Sequence, residues 1–377
     1  MGRHPHVLVI PLPLQGHVAP LMKLSHKIVD HGIKVTFVNT EFIHAKVTAS
    51  MARNDTLKLA ESILKAMPGH FKDLIEKINQ SNDDDQISCI IADTTIGSAL
   101  EVAEKMGIKR AAFFPAAQEP WPFNFISQTW GSTVLPWSCP GDSKILNHFK
   151  LCNWLLCNSF YEYDSPACDL IPGIIPVGPL LLGNQLVSHA ESFWPQDSTC
   201  LTWLDKQAMG SVIYVAFGSL ASFSQKQYFD ELALGLELIS QPFLWVVRSD
   251  ITDGPLAEFL HKVLDHPSIA CFLSHCGWNS TLEGISMGVP FLCWPYFADQ
   301  FHNKSYICDA WKIGLGLTPD ENGFITRHEI KTKIETLFSD YVIKTIALKL
   351  KEMAKKSVTE VGSSFKNFES FIEQVKN

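Results

Sequence analysis

Two short stretches carry the residue types that could do chemistry in an otherwise apolar setting. "FLSHCGWNSTLEG" (272–284) packs His275, Cys276, Gly277, Trp278, Asn279 and Ser280 into the corner where a buried strand should hand over to a helix. Gly277 relieves crowding at such a turn, and Asn279 and Ser280 are good N-cap residues, so a helix is expected to begin near 280 with Glu283 in its first turn. The first N–H groups of a helix lack intrahelical partners and its N-terminus is partially positive, which suits an anion. His275 and the Ser280 hydroxyl add donors, and together they suit a diphosphate without a metal. A zinc site from Cys271, His275 and Cys276 is not expected, because that spacing on a strand does not converge ligands. Read alone, the same residues also fit a well-capped turn with no ligand.

Downstream, "GVPFLCWPYFADQ" (288–300) is another apolar strand, ending in Asp299 and Gln300. In a parallel sheet that end lies on the same side as Gly277. Two neighbouring strand ends would then supply a phosphate cradle, a carboxylate (Glu283) suited to a ribose diol, and an Asp–Gln pair suited to sugar hydroxyls. The second stretch, "PLPLQGHVAPLMKLS" (11–25), follows the first strand and places His17 at its carboxyl end. An imidazole titrating near neutrality can take a proton from a hydroxyl, and a carboxylate can orient it. Asp93, closing "ISCIIAD", is placed at the corresponding edge. His26, His31 and His189 read as surface residues without partners.

These residues need elements to position them. Apolar runs at 6–13, 33–40, 87–93, 110–116, 154–160, 211–219, 242–249, 269–277 and 289–296 alternate with helix-like spacing at 20–31, 97–106, 224–239, 279–287 and 299–312. Runs that are apolar throughout suit parallel strands buried on both faces, so the chain reads as α/β with parallel sheets. Neither half has a GxGxxG after its first strand, which disfavours a nicotinamide-dependent dehydrogenase. "LIPGIIPVGPLLLGNQ" (170–185) reads as an interdomain linker. The expected layout is a first domain over 1–180, a second over 181–360, and a C-terminal helix at 361–377 packing back on the first. Two doubly wound domains joined this way would face a cleft.

A length of 377 residues with 46% hydrophobic and 19% charged is enough for two globular domains. The net charge of −8 argues against a polyanion-binding surface, so no nucleic-acid partner is expected. The cysteines sit mostly in apolar runs without CxxC pairs and read as reduced thiols. The N-terminal apolar run is short and broken by prolines, and no segment approaches the roughly 20 apolar residues of a membrane span. The expectation is a cytoplasmic monomer with no membrane partner.

"HPSIACFLSHCGWNSTLEGISMGVPFLCWPYFADQ" (266–300) closely resembles the signature box of the plant UDP-dependent glycosyltransferases, family 1. The resemblance implies a GT-B fold: two Rossmann-like doubly wound domains facing a cleft, with the acceptor in the N-terminal half and the UDP-sugar in the C-terminal half. It implies that His275, Asn279 and Ser280 bind the diphosphate, Trp278 contacts the donor sugar region, Glu283 holds the ribose, and Asp299 and Gln300 read the sugar hydroxyls. A closing Gln accompanies UDP-glucose in the family. Ser219, ending "VAFGS", matches a position near the phosphates. "QGH" carries the family's catalytic His, here His17, and Asp93 is its partner. The implied activity is inverting transfer of glucose from UDP-glucose to a hydroxyl of a small secondary metabolite of flavonoid, phenolic or terpenoid type. The UDP-sugar is a co-substrate, and neither cofactor nor metal is implied.

The chain departs from that pattern upstream of the box. Where the family opens with Trp-x-Pro-Gln, this chain reads "AEFL" (257–260), so the uracil-stacking tryptophan and its glutamine are missing. The segment before the box has no room for the strand that usually intervenes, and loss of a central strand is the expectation. Much of the acceptor-lining region is skipped within 120–159. A catalytically impaired or inactive truncated paralogue, keeping only partial UDP binding, is therefore the alternative reading.

Overall fold

The computed structural model describes residues 4–38, 69–80, 86–115, 150–171, 173–180, 199–218, 224, 226–247 and 263–377. It divides into two compact units, one of Met1–Glu191 with Lys356–Asn377 and one of Ser192–Lys355. The expected boundary after 180 adjoins 181–198, which lie outside the described residues.

The first unit is built on a sheet of β1 (His6–Ile10), β2 (Lys34–Phe37), β3 (Cys89–Asp93), β4 (Lys109–Phe114), β5 (Trp154–Cys157) and β6 (Ile174–Pro176). Their order is β2-β1-β3-β4-β5-β6, and every pairing is parallel. Successive side chains of a strand point to opposite faces, and here both faces are covered. Val7, Val9, Cys89, Ile91, Ala111 and Phe113 pack under the helix Gln15–Asp30 and the last helix, Ser363–Lys376. Leu8, Ile10, Ile90 and Ala92 pack on the other side against helix 69–80 and the helix Gly97–Lys105. The last helix inserts Phe368, Phe371, Ile372 and Val375, a one-stripe helical spacing, into the first unit's core. Each such buried side chain contributes about 1.5–3 kcal/mol.

The second unit has β7 (Val212–Ala216), β8 (Phe243–Trp245), β9 (Ile269–Ser274), β10 (Phe291–Cys293) and β11 (Gly314–Gly316), all parallel, in the order β11-β10-β9-β7-β8. Read from its other edge, this winding repeats the first: a founding strand, the second strand on one side, the rest on the other. One face packs Ile213, Val215, Cys271, Leu273 and Leu292 against Leu232, Leu236, Ile330, Ile334 and Leu337. Across the opposite face run Tyr214, Phe272 and Phe291, with ring centroids 5.1 and 5.7 Å apart. The helix Trp278–Met287 lies there, pressed close at Gly284, where a Cβ would collide with the Phe291 ring.

Three expectations are corrected. The stretch 170–185 is not simply a linker, because it contains β6. That strand is at the sheet's edge, where Pro176 can sit without costing a ladder hydrogen bond. No central strand is lost: β7 and β9 are hydrogen-bonded neighbours from Val212↔Ile269 to Ala216↔Ser274, and β8, which precedes the shortened segment, is at the edge. His31 is not partnerless either. Its Nε2 lies 2.8 Å from Glu369 Oε1, tying the first helix to the last. His189 lies outside the described residues. Among the described residues, no helix is long and apolar enough to cross a membrane.

Candidate active site

In doubly wound sheets, ligands bind beyond the carboxyl ends of the strands where the winding reverses. These points are β1/β3 in the first unit and β7/β9 in the second. The singled-out residues fall on both.

At β1/β3, the helix Gln15–Asp30 begins four residues after β1 and carries His17 in its first turn. Asp93 is the last residue of β3. His17 Nδ1 lies 2.7 Å from Asp93 Oδ2, with the imidazole 25% exposed and the carboxylate fully buried. The other carboxylate oxygen accepts the Thr95 N–H at 2.9 Å and the Thr95 hydroxyl at 2.6 Å. Asp93 thus caps the 3₁₀ turn Thr94–Ile96 with one oxygen and orients His17 with the other. With the Nδ1 proton directed at the carboxylate, Nε2 is the basic nitrogen of the ring. Thr95 went unread in the sequence, although Asp-x-Thr at a strand end is a recognisable side-chain-to-backbone turn.

At β7/β9 the corner is built differently. His275 follows β9 directly and sits between two glycines, one at each strand end. A Cβ on Gly218, which has φ +65°, would lie 2.5 Å from His275 Nε2, and one on Gly277 would also collide with that nitrogen. Burial lowers the His275 imidazole to about 4, with the Ala216 backbone opposing only in part. At neutral pH the ring is therefore uncharged, a hydrogen-bonding group rather than a cation.

The helix does not start where the sequence suggested. Its cap is Gly277 (φ −62°, ψ 144°), no side chain caps it, and it begins at Trp278. Asn279 and Ser280 are thus first-turn residues, and Glu283 lies in the second turn, buried. The shift arises because Cys276 takes up the left-handed bend itself, at φ +64°, a conformation few non-glycine residues adopt. The first intrahelical bond is Thr281 N–H to Gly277 O at 2.9 Å, so the N–H groups of 277–280 precede it. Trp278 is also buried, at the start of the helix.

Asp299 and Gln300 follow β10, beside this corner. Gln300 is buried, and its Oε1 accepts the N–H groups of Tyr296 (2.8 Å) and Phe297 (3.1 Å). With that oxygen capping its own loop, the amide can offer a sugar only donors. Asp299 Oδ2 accepts from Asn303 Nδ2 at 3.0 Å, and the same nitrogen donates to Cys276 O at 2.9 Å. Asn303 went unread in the sequence. Ser219 lies outside the described residues.

Two parallel doubly wound units, with a His–Asp pair at one switch point and an anion-suited helix start at the other, define the GT-B class of nucleotide-sugar transferases. Residues 168–360 match the family described as UDP-glucoronosyl and UDP-glucosyl transferase. UDP-glycosyltransferase 83A1 of Arabidopsis thaliana is 38% identical, with 100% of this chain and 98% of that protein covered. A UDP-glucosyltransferase from Polygonum tinctorium capable of glucosylating indoxyl superposes with a TM-score of 0.80 at 25% identity, covering 100% of each chain. Os79 from O. sativa, solved in complex with UDP, gives a TM-score of 0.80 at 24% identity over 98% of this chain and 100% of its own. The chain belongs to the plant family 1 UDP-glycosyltransferases. Its alignment with the Arabidopsis protein runs over 455 positions against the chain's 377 residues, so at least 78 positions hold no residue of this chain.

Proposed function

We propose that this glycosyltransferase moves glucose from UDP-glucose to a hydroxyl of a small secondary metabolite, in one displacement with inversion at the anomeric carbon. The observation that carries the reading is the 2.7 Å bond between His17 and a buried Asp93 whose second oxygen is already held by Thr95. His17 Nε2 takes the acceptor's hydroxyl proton as that oxygen bonds to the anomeric carbon. The bond from that carbon to the diphosphate breaks, and UDP leaves with its electron pair. Asp93 stabilises the imidazolium. The N–H groups at 277–280, neutral His275 and the Ser280 hydroxyl stabilise the departing diphosphate, and the step needs no metal. Glu283 holds the ribose, while Trp278, Asp299 and the Gln300 amide nitrogen contact the sugar. The Polygonum tinctorium relative, which glucosylates indoxyl, supports glucose as the donor sugar and a small hydroxylated acceptor.

A second reading, an impaired relative with partial UDP binding, is favoured by the 78 unmatched alignment positions and by "AEFL" at 257–260. Losing an aromatic platform for a base weakens binding by about 1–3 kcal/mol. Incubation with UDP-glucose and a panel of phenols and terpenoid alcohols, read by mass spectrometry, separates the two. Glucoside that disappears in His17→Ala supports transfer. A UDP-induced rise in melting temperature with no glucoside supports impairment, and neither signal removes both.

A further inference from the structure

Asn303 is fully buried, and its Nδ2 donates to two acceptors, Cys276 O and Asp299 Oδ2. That fixes which way the amide faces. Each of the two loops it joins contains a non-glycine residue in the left-handed region, Cys276 at φ +64° and Ala298 at φ +55°. Such positions persist only where their surroundings hold them, and they cluster at functional sites. Around Cys276 the holding groups are visible: Ser274 Oγ accepts its N–H at 3.1 Å, and Asn303 takes its carbonyl. In a trans peptide, the C=O and N–H of one unit point in opposite directions. Turning the Cys276 carbonyl toward Asn303 therefore turns the Gly277 N–H away from it. Among the described residues, no backbone acceptor takes that N–H.

We propose that Asn303 is a positioning residue of the donor site. One buried amide nitrogen sets both the aim of the Gly277 N–H and the orientation of the Asp299 carboxylate, and so couples recognition of the diphosphate to recognition of the sugar. The inference rests on the donor-site reading above.

The test is calorimetric titration of UDP and of UDP-glucose into wild type, Asn303→Ala, Asp299→Ala and the double variant. Asn303→Ala is expected to weaken UDP about 3-fold and UDP-glucose about 10-fold or more, losses of the size of lost hydrogen bonds. In the Asp299→Ala background, the same change should cost UDP-glucose only the factor it costs UDP, because the sugar-side contact is already gone. The ratio of the two affinities is internal to each sample, so an unfolded fraction cancels. Asn303→Asp, of equal size but without the donors, should change that ratio in the same direction. Equal weakening of both ligands, or an extra cost that survives in Asp299→Ala, overturns the proposal. Wild-type protein that binds neither ligand overturns the donor-site reading, and this inference with it.

Discussion

The two units share one winding and each has a histidine at its switch point, one after β1 and one after β9, yet the two histidines are opposites. His17, after β1, has a buried carboxylate at 2.7 Å and an imidazole open to one side. His275, after β9, has no acidic group among the causes of its shift and is wedged between Gly218 and Gly277, with burial lowering it to about 4. The first setting orients the ring through a carboxylate; the second keeps the ring neutral. Strand topology thus decides where each histidine stands, and the neighbouring side chains decide what it can do.

The largest expected effect is at Asp93. Asp93→Asn should lower kcat about 10²–10⁴-fold while leaving UDP affinity unchanged, because in the proposed mechanism the carboxylate acts on the base and not on the diphosphate. A comparable loss of UDP affinity would merge the two roles. At the other switch point, Gly277→Ala pushes a Cβ into the His275 ring and should weaken UDP about 10-fold, with Asp93 and His17 undisturbed. Thr95→Val removes one of the two groups holding Asp93 Oδ1 and should lower kcat about 3-fold. A separate effect is on stability. His275 titrates near 4 in the folded protein and near 6.5 when exposed, so between those values the unfolded state binds more protons. Stability should fall as pH drops from about 6.5 to about 4. His275→Gln should flatten that slope in thermal melts, and an unchanged slope would contradict the neutral setting.

Much of this was legible in the sequence, because uninterrupted apolar runs followed by helical spacing leave few alternatives to parallel α/β units. β6 ("IIP") and β11 ("GLG") escaped, being three-residue edge strands made of residues that also mark turns. The shortened segment was legible as a gap, but the edge position of β8 before it was not, since strand order is not written in sequence order. The helix start was misplaced because nothing marks Cys276 as the residue that takes a left-handed bend. Candidate chemistry was readable at His17, Asp93 and His275 because strand ends are where ligand-facing groups are expected. Asn303 was not, because its partner carbonyl is 27 residues away and any residue carries a carbonyl.

The division of roles between the two histidines is tested most directly by measuring UDP affinity and glucoside formation on the same samples of wild type, His17→Ala and Gly277→Ala. His17→Ala should bind UDP like wild type yet form less than about 1% of its product, while Gly277→Ala should lose UDP affinity first and recover turnover at high UDP-glucose. His17→Ala turning over at the wild-type rate, or both variants losing both properties together, would contradict that division of roles.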